Sequence, residues 1–109
     1  MATTQIVDNF KNTIVDTVQT AFTAGIKPVV IEAFTATNNS TVNASYKAYI
    51  VSASGDEQPQ RPFKVVVWGE LDLGIGIVNQ IIPAGGSLKV ESSALDSIYF
   101  TVTGREVTA

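Results

Sequence analysis

One third of this chain consists of residues branched at Cβ, and this feature constrains its fold most. The 109 residues include 14 Val, 10 Ile and 12 Thr. Such side chains are stiff at χ1 and pack well on the pleated surface of a sheet, which favours strands over helices. A chain of this length has room for one domain core, so we predict a single mainly β domain.

Short apolar runs, separated by clusters of Gly, Pro, Asn and Ser, follow Pro28 along the rest of the chain. Strands are predicted at residues 29–36, 44–53, 63–68, 77–82, 88–92, 97–103 and 106–108, with a polar turn at 37–40. Turn signals that recur about every 8 to 12 residues, without helices between them, are typical of antiparallel folds. We therefore predict an antiparallel β-sandwich or small barrel with six to seven strands.

Several glycines lie where a strand is expected to end. Gly85 is expected to supply positive φ in a turn, and Gly104 a reversal between the last two predicted strands. Gly74 and Gly76 lack the third glycine and the following helix of a dinucleotide-binding loop. They predict a bulge or turn instead.

Residues 4–24 show a different spacing, with apolar side chains at every fourth position. The positions are Ile6, Phe10, Ile14, Val18 and Phe22. This spacing predicts an N-terminal α-helix, which Gly25 and Pro28 would end. An Ile-Val-Asp triplet that recurs after eight residues fits one face of a strand instead. We predict a helix or arm over residues 1–28, packed on its own sheet or on a neighbour, and a β-sandwich domain over residues 29–109.

The chain has no His and no Cys, which removes several kinds of chemistry. Ser-His-Asp and Cys-His catalysis, and metal sites built from imidazole or thiolate, are excluded. Asp56 and Glu57 lie in a hydrophilic stretch, while Glu70 and Asp72 are a weak candidate for calcium. We predict a protein that is not an enzyme and that has no catalytic residues, cofactor or metal.

Charged residues are few, at 16% of the chain, and the net charge is −3. The sequence contains no basic stripe of the kind that would indicate nucleic-acid binding. It also contains no run that approaches the roughly 18 apolar residues of a membrane span. The N-terminus also lacks the pattern of a secretory signal, so we expect synthesis in the cytoplasm. Because neighbouring subunits can cover an uncharged surface, the low charge favours a subunit of an assembly.

The aromatic residues allow a function of another class. Trp68 with Tyr46, Tyr49 and Tyr99 would form a sugar-stacking platform if all four lay on one exposed face. Core packing is the alternative, and Trp68, which follows three valines, is expected in or beside the core. A carbohydrate-binding module therefore remains open.

The C-terminal half contains two runs of turn and strand residues, 77–90 with the turn IPAGGSL at 82–88, and 95–107 with LDSIYFTVTGRE at 95–106. These runs resemble small β-sandwich structural proteins of tailed bacteriophages, and as a pattern the resemblance covers residues 29–107. It implies a non-enzymatic virion protein of the capsid decoration or cement type, which binds the major capsid protein shell and stabilises the head. A neck, tail or fibre-base subunit is the alternative position.

The resemblance also implies partners. We expect the major capsid protein and neighbouring copies of this chain, in a homo-oligomer for which a trimer is one option, on the capsid surface of a virion made in the host cytoplasm. Contact residues are expected on the predicted helix and in the polar stretch that follows residue 54: Ile6, Phe10, Ile14, Phe22, Gly55, Asp56, Glu57 and Arg61.

Overall fold

Nine strands account for the regular structure within the described part of this chain. The computed structural model describes residues 4–11, 17–54, 63–74, 76–94 and 97–107. The strands are β1 (Thr4–Lys11), β2 (Gln19–Thr23), β3 (Val29–Asn38), β4 (Ala44–Val51), β5 (Phe63–Val66), β6 (Leu71–Asp72), β7 (Ile81–Ile82), β8 (Ser87–Ser92) and β9 (Ile98–Glu106). Within these ranges there is no helix, and the predicted mainly β class is confirmed.

The strands form two sheets in which every pair is antiparallel. The first sheet has the order β1-β9-β3-β6, with β7 also paired to β3, and the second has the order β2-β8-β4-β5. The first four strands therefore alternate between the sheets along the chain. With the short β7 set aside, this is the strand order of a jelly roll.

Aromatic rings from both sheets meet in the core. Phe34 of β3 and Phe100 of β9 belong to the first sheet, and both contact Tyr46 of β4 in the second, with ring centroids 5.8 and 5.5 Å apart. Burial alternates along β8 and β9, so each strand turns one side inward. The two sheets therefore pack face to face as a sandwich.

The predicted N-terminal helix is wrong. Residues 4–11 pair with β9 and residues 19–23 pair with β8, whereas residues 12–16 lie outside the described ranges. A spacing of four residues fits a helix of period 3.6, but because four is even it also keeps one face of a strand. The many β-branched residues decide between the two patterns in favour of strands.

The predicted reversal at Gly104 is also wrong, because β9 runs through it from Ile98 to Glu106. A Cβ added at Gly104 would lie 2.5 Å from the carbonyl oxygen of Val30, so the glycine permits close approach of β9 to β3. The strand predicted at residues 77–82 is reduced to Ile81–Ile82, since residues 76–79 form a turn. The described ranges thus contain nine strands, whereas six or seven were predicted for the chain.

Candidate interaction surface

Exposed apolar side chains are concentrated on one side of the sandwich. Among the described residues, the large apolar side chains that are exposed are Val18, Ile26, Val42, Val65, Val67, Trp68, Leu71, Leu73 and Ile81. Four of these lie in residues 65–71, along β5, the turn after it and β6. We call Val65, Val67, Trp68 and Leu71 the apolar strip. Because β5 and β6 are the end strands of the two sheets, the strip lies where each sheet ends.

A tight turn places Trp68 at the corner of the sandwich. The amide of Glu70 donates to the carbonyl of Val67 at 3.0 Å, and Gly69 adopts a φ of 78°. The prediction that Trp68 lies in or beside the core is wrong, since its side chain is 59% exposed. β5 ends at Val66, so the strand alternation that would turn the next residues inward ends there as well.

Buried Asn38 joins the neighbouring loop to the strip. Its side-chain amide donates to the carbonyls of Val42 and Val66, each at 2.9 Å. Its Oδ1 accepts from the amide and the hydroxyl of Ser40, at 3.0 and 2.7 Å. All the hydrogen-bonding groups of this amide side chain therefore have partners, and the β3–β4 loop is fixed against β5.

A second, partly buried set of hydrogen bonds holds β6. The hydroxyl of Tyr46 donates to Oδ2 of Asp72 at 2.5 Å, and the amide of Gly74 donates to the same oxygen at 3.1 Å. Burial, and secondarily the hydrogen bond to Asp72, raises the pKa of Tyr46 far above its usual value. Asp72 thus points inward, whereas Glu70 is exposed, so the two carboxylates do not converge on one ion. In the described ranges no group of three or more carboxylates could hold a metal.

A groove lies beside the strip, on the outer side of β3. β6 pairs with Ala36 and Thr37, and β7 pairs with Val29 and Val30, so neither strand pairs with the middle of β3. The space has a volume of about 440 Å³. Its lining includes Glu32, Ala33, Phe34, Leu73, Val78 and Asn79.

None of the sequence-predicted contact residues belongs to the apolar strip: three lie on other strands, and the rest lie outside the described ranges. Ile6 and Phe10 on β1, and Phe22 on β2, are partly buried against the core. These strands end the two sheets on the side opposite the strip. Ile14, Gly55, Asp56, Glu57 and Arg61 lie outside the described ranges, and a contact role for the whole set stays a prediction.

The tyrosines do not join Trp68 in an exposed platform. Tyr46 and Tyr49 are buried, at 1% and 5% exposure. Only Trp68 and the half-buried Tyr99 keep accessible surface, on a corner and on β9 respectively. The sugar-stacking arrangement of all four rings is therefore absent from the described residues.

The remaining glycine pair behaves as expected. Gly74 and Gly76 adopt φ values of 65° and 108°, which confirms the predicted turn.

In the described part of the chain, no helix is long and apolar enough to cross a membrane.

Comparisons with known proteins bear on the fold. No protein-family model and no curated protein matches the sequence. A chain in the structure of the infectious bursal disease virus Gx strain is similar, with a TM-score of 0.52 and 14% sequence identity over 94% of this chain. This protein spans 31% of that chain.

A chain in the structure of the Gt strain of the same virus gives a TM-score of 0.39 at 12% identity, over 94% of this protein and 31% of that chain. At this level of identity, the Gx similarity shows a shared fold alone. The class established by topology and comparison is therefore a mainly β fold that also occurs in a virus structure.

Proposed function

We propose that this chain is a non-enzymatic structural protein of a virion, of the capsid decoration or cement type. The observation that supports this most is the fold similarity to a chain in a virus structure, which extends over 94% of this protein. The bacteriophage resemblance of residues 29–107 adds independent support for the tailed-phage setting. The proposed partners are the major capsid protein and neighbouring copies of this chain.

The apolar strip is the surface that we assign to shell binding. Trp68 and its neighbours are held outward by a turn whose backbone is fixed to buried Asn38 by a 2.9 Å hydrogen bond from Gly69. A rigid apolar surface loses little conformational entropy on binding, which favours affinity. Aromatic side chains at the centre of an interface commonly contribute most to affinity. Many equivalent contacts on one shell then add up through multivalency.

Binding to shells that lack this chain tests the proposal. Purified wild-type protein is expected to co-sediment with such shells, and Val65→Asp is expected to weaken binding at least about tenfold, since it places a charge in the strip. The matched control is Val18→Asp, which makes the same change on an exposed valine just before β2.

The binding of the two variants distinguishes the apolar strip from the opposite side of the sandwich as the shell-binding surface. No co-sedimentation of the wild type overturns the decoration role. Loss of binding in Val18→Asp with retention in Val65→Asp overturns the strip and favours the opposite side, where Ile6, Phe10 and Phe22 lie. Circular dichroism of both variants verifies that each retains the β fold.

A further inference from the structure

The groove lies where the hydrogen bonding along one side of β3 is interrupted. On the side away from β9, the amide of Ile31 donates to the carbonyl of Gln80, and the amide of Asn38 donates to that of Glu70, each at 2.9 Å. Between these two points, residues 32–35 line the groove. Among the described residues, no strand pairs with this part of β3 on that side.

Phe34 directs its backbone N–H and C=O toward this interruption. The hydrogen-bonding groups of successive strand residues point to opposite sides, and residues 33–38 pair with β9 without a bulge. Because the amide of Asn38 points away from β9, the backbone groups of Ala36 and Phe34 point the same way. Ala36 pairs there with β6, whereas Phe34 has no strand partner on that side in the described ranges.

These two backbone groups indicate which kind of ligand the groove fits. Phe34 is only 2% exposed, and buried backbone groups in native proteins nearly always have a hydrogen-bond partner. A residue in extended conformation is complementary to Phe34, because its own N–H and C=O also point to one side. Ala33, Leu73 and Val78 supply apolar walls for the side chain of such a residue.

We propose that the groove binds an extended peptide segment of a partner chain, which pairs with the backbone of Phe34. The N–H of Phe34 donates to the C=O of one residue of the segment, and the C=O of Phe34 accepts from the N–H of that residue. An apolar side chain of the segment lies against Leu73 and Val78. Ile31 and Ala36, which are already paired, lie roughly 17 Å apart along a strand, so about three residues of the segment fit between them.

This site goes beyond the shell binding assigned to the apolar strip, because no residue of the strip lines the groove. It is tested on the purified full chain without shells. The probe is the capped peptide acetyl-Thr-Val-Thr-amide, whose central valine offers an N–H, a C=O and an apolar side chain. The control peptide carries a methyl group on the nitrogen of that valine, which removes the donor and keeps the side chain.

Nuclear magnetic resonance of the isotope-labelled protein measures binding at Phe34 itself. The probe is expected to shift the Phe34 amide resonance to saturation with a Kd of about 1 mM or lower, and the methylated peptide to bind at least about tenfold more weakly. Leu73→Asp, which places a charge in an apolar wall, is expected to weaken binding at least about tenfold. The control is Ile26→Asp, an equally sized change at an exposed residue outside the groove, which should keep the wild-type affinity.

Three results would each overturn the proposal. They are the absence of a saturable shift at Phe34, equal affinity for the two peptides, and wild-type affinity in Leu73→Asp. Circular dichroism verifies that both variants retain the β fold. Because co-sedimentation requires shells and this titration does not, failure of peptide binding is distinguishable from failure of the decoration role.

Discussion

Tyr46 and Asp72 connect the two sheets through a side-chain hydrogen bond of 2.5 Å, from the phenolic hydroxyl on β4 to the carboxylate on β6. β6 has two residues and pairs with β3 through Ala36 and Thr37. Its backbone pairing is therefore short, and the bond to Tyr46 adds a connection to the core of the opposite sheet. Because Leu71 precedes Asp72, this bond also positions the end of the apolar strip.

Tyr46→Phe is expected to destabilise the protein by about 2 kcal/mol, because it removes a hydrogen bond to a partly buried carboxylate. The free energy of unfolding in urea measures this loss. Tyr99→Phe is the control, since Tyr99 is half-buried and keeps its ring beside Lys11, and a change within about 0.5 kcal/mol is expected. Equal stability of Tyr46→Phe and the wild type would show that the bond contributes nothing.

Alkaline pH is expected to lower stability through the same residue. The pKa of Tyr46 is raised in the folded protein, by burial and then by Asp72, so the unfolded chain ionises first. Stability is complete below the unfolded pKa of about 10 and falls as the pH rises above it. Between about pH 9 and about pH 11, the wild type should lose about 1.4 kcal/mol more than Tyr46→Phe. Parallel pH profiles for the two proteins would contradict the assignment to Tyr46.

Asn38→Asp is expected to cost about 3 kcal/mol or more, because a carboxylate would face the carbonyls of Val42 and Val66 that now accept from the amide. Thermal and urea unfolding measure the loss. The matched control is Asn39→Asp, whose side chain is exposed and should stay within about 0.5 kcal/mol of the wild type. Similar losses at the two positions would refute the role assigned to Asn38.

Gly104→Ala is expected to destabilise by about 2 kcal/mol or more, since its Cβ would lie 2.5 Å from the carbonyl oxygen of Val30 and force β9 away from β3. Gly25→Ala is the comparison, because no atom lies within 4 Å of the added Cβ. That change should be neutral or slightly stabilising. Unfolding midpoints of the two variants decide the matter, and a harmless Gly104→Ala would contradict the close approach.

Local pattern sufficed to predict the central strands of the fold. β3, β4 and β8 coincide closely with predicted runs, because inward and outward residues alternate and turn residues follow. The first 24 residues were ambiguous, since a spacing of four satisfies both a helix and a strand. The strand alternative is correct because β1 pairs with β9 and β2 pairs with β8. Such pairing between distant segments cannot be predicted from a local pattern.

The groups that position the candidate surface could not be predicted for a related reason. Asn38 meets Val66 28 residues later, and Tyr46 meets Asp72 after 26 residues. In sequence, Asn38 carries only the signal of a turn residue, and Asp72 only that of an acidic neighbour of Glu70. The exposure of Trp68 follows from the end of β5 two residues earlier. The sequence does not show this boundary, because three consecutive valines, two before it and one after it, all favour a strand.

The central claim is that this chain is a structural part of a virion, and the protein content of particles tests it most directly. Intact particles of the virus that carries this gene would be purified on a density gradient and measured by quantitative mass spectrometry. A decoration role predicts this chain at a copy number comparable to that of the major capsid protein. Its absence from intact purified particles would contradict the account.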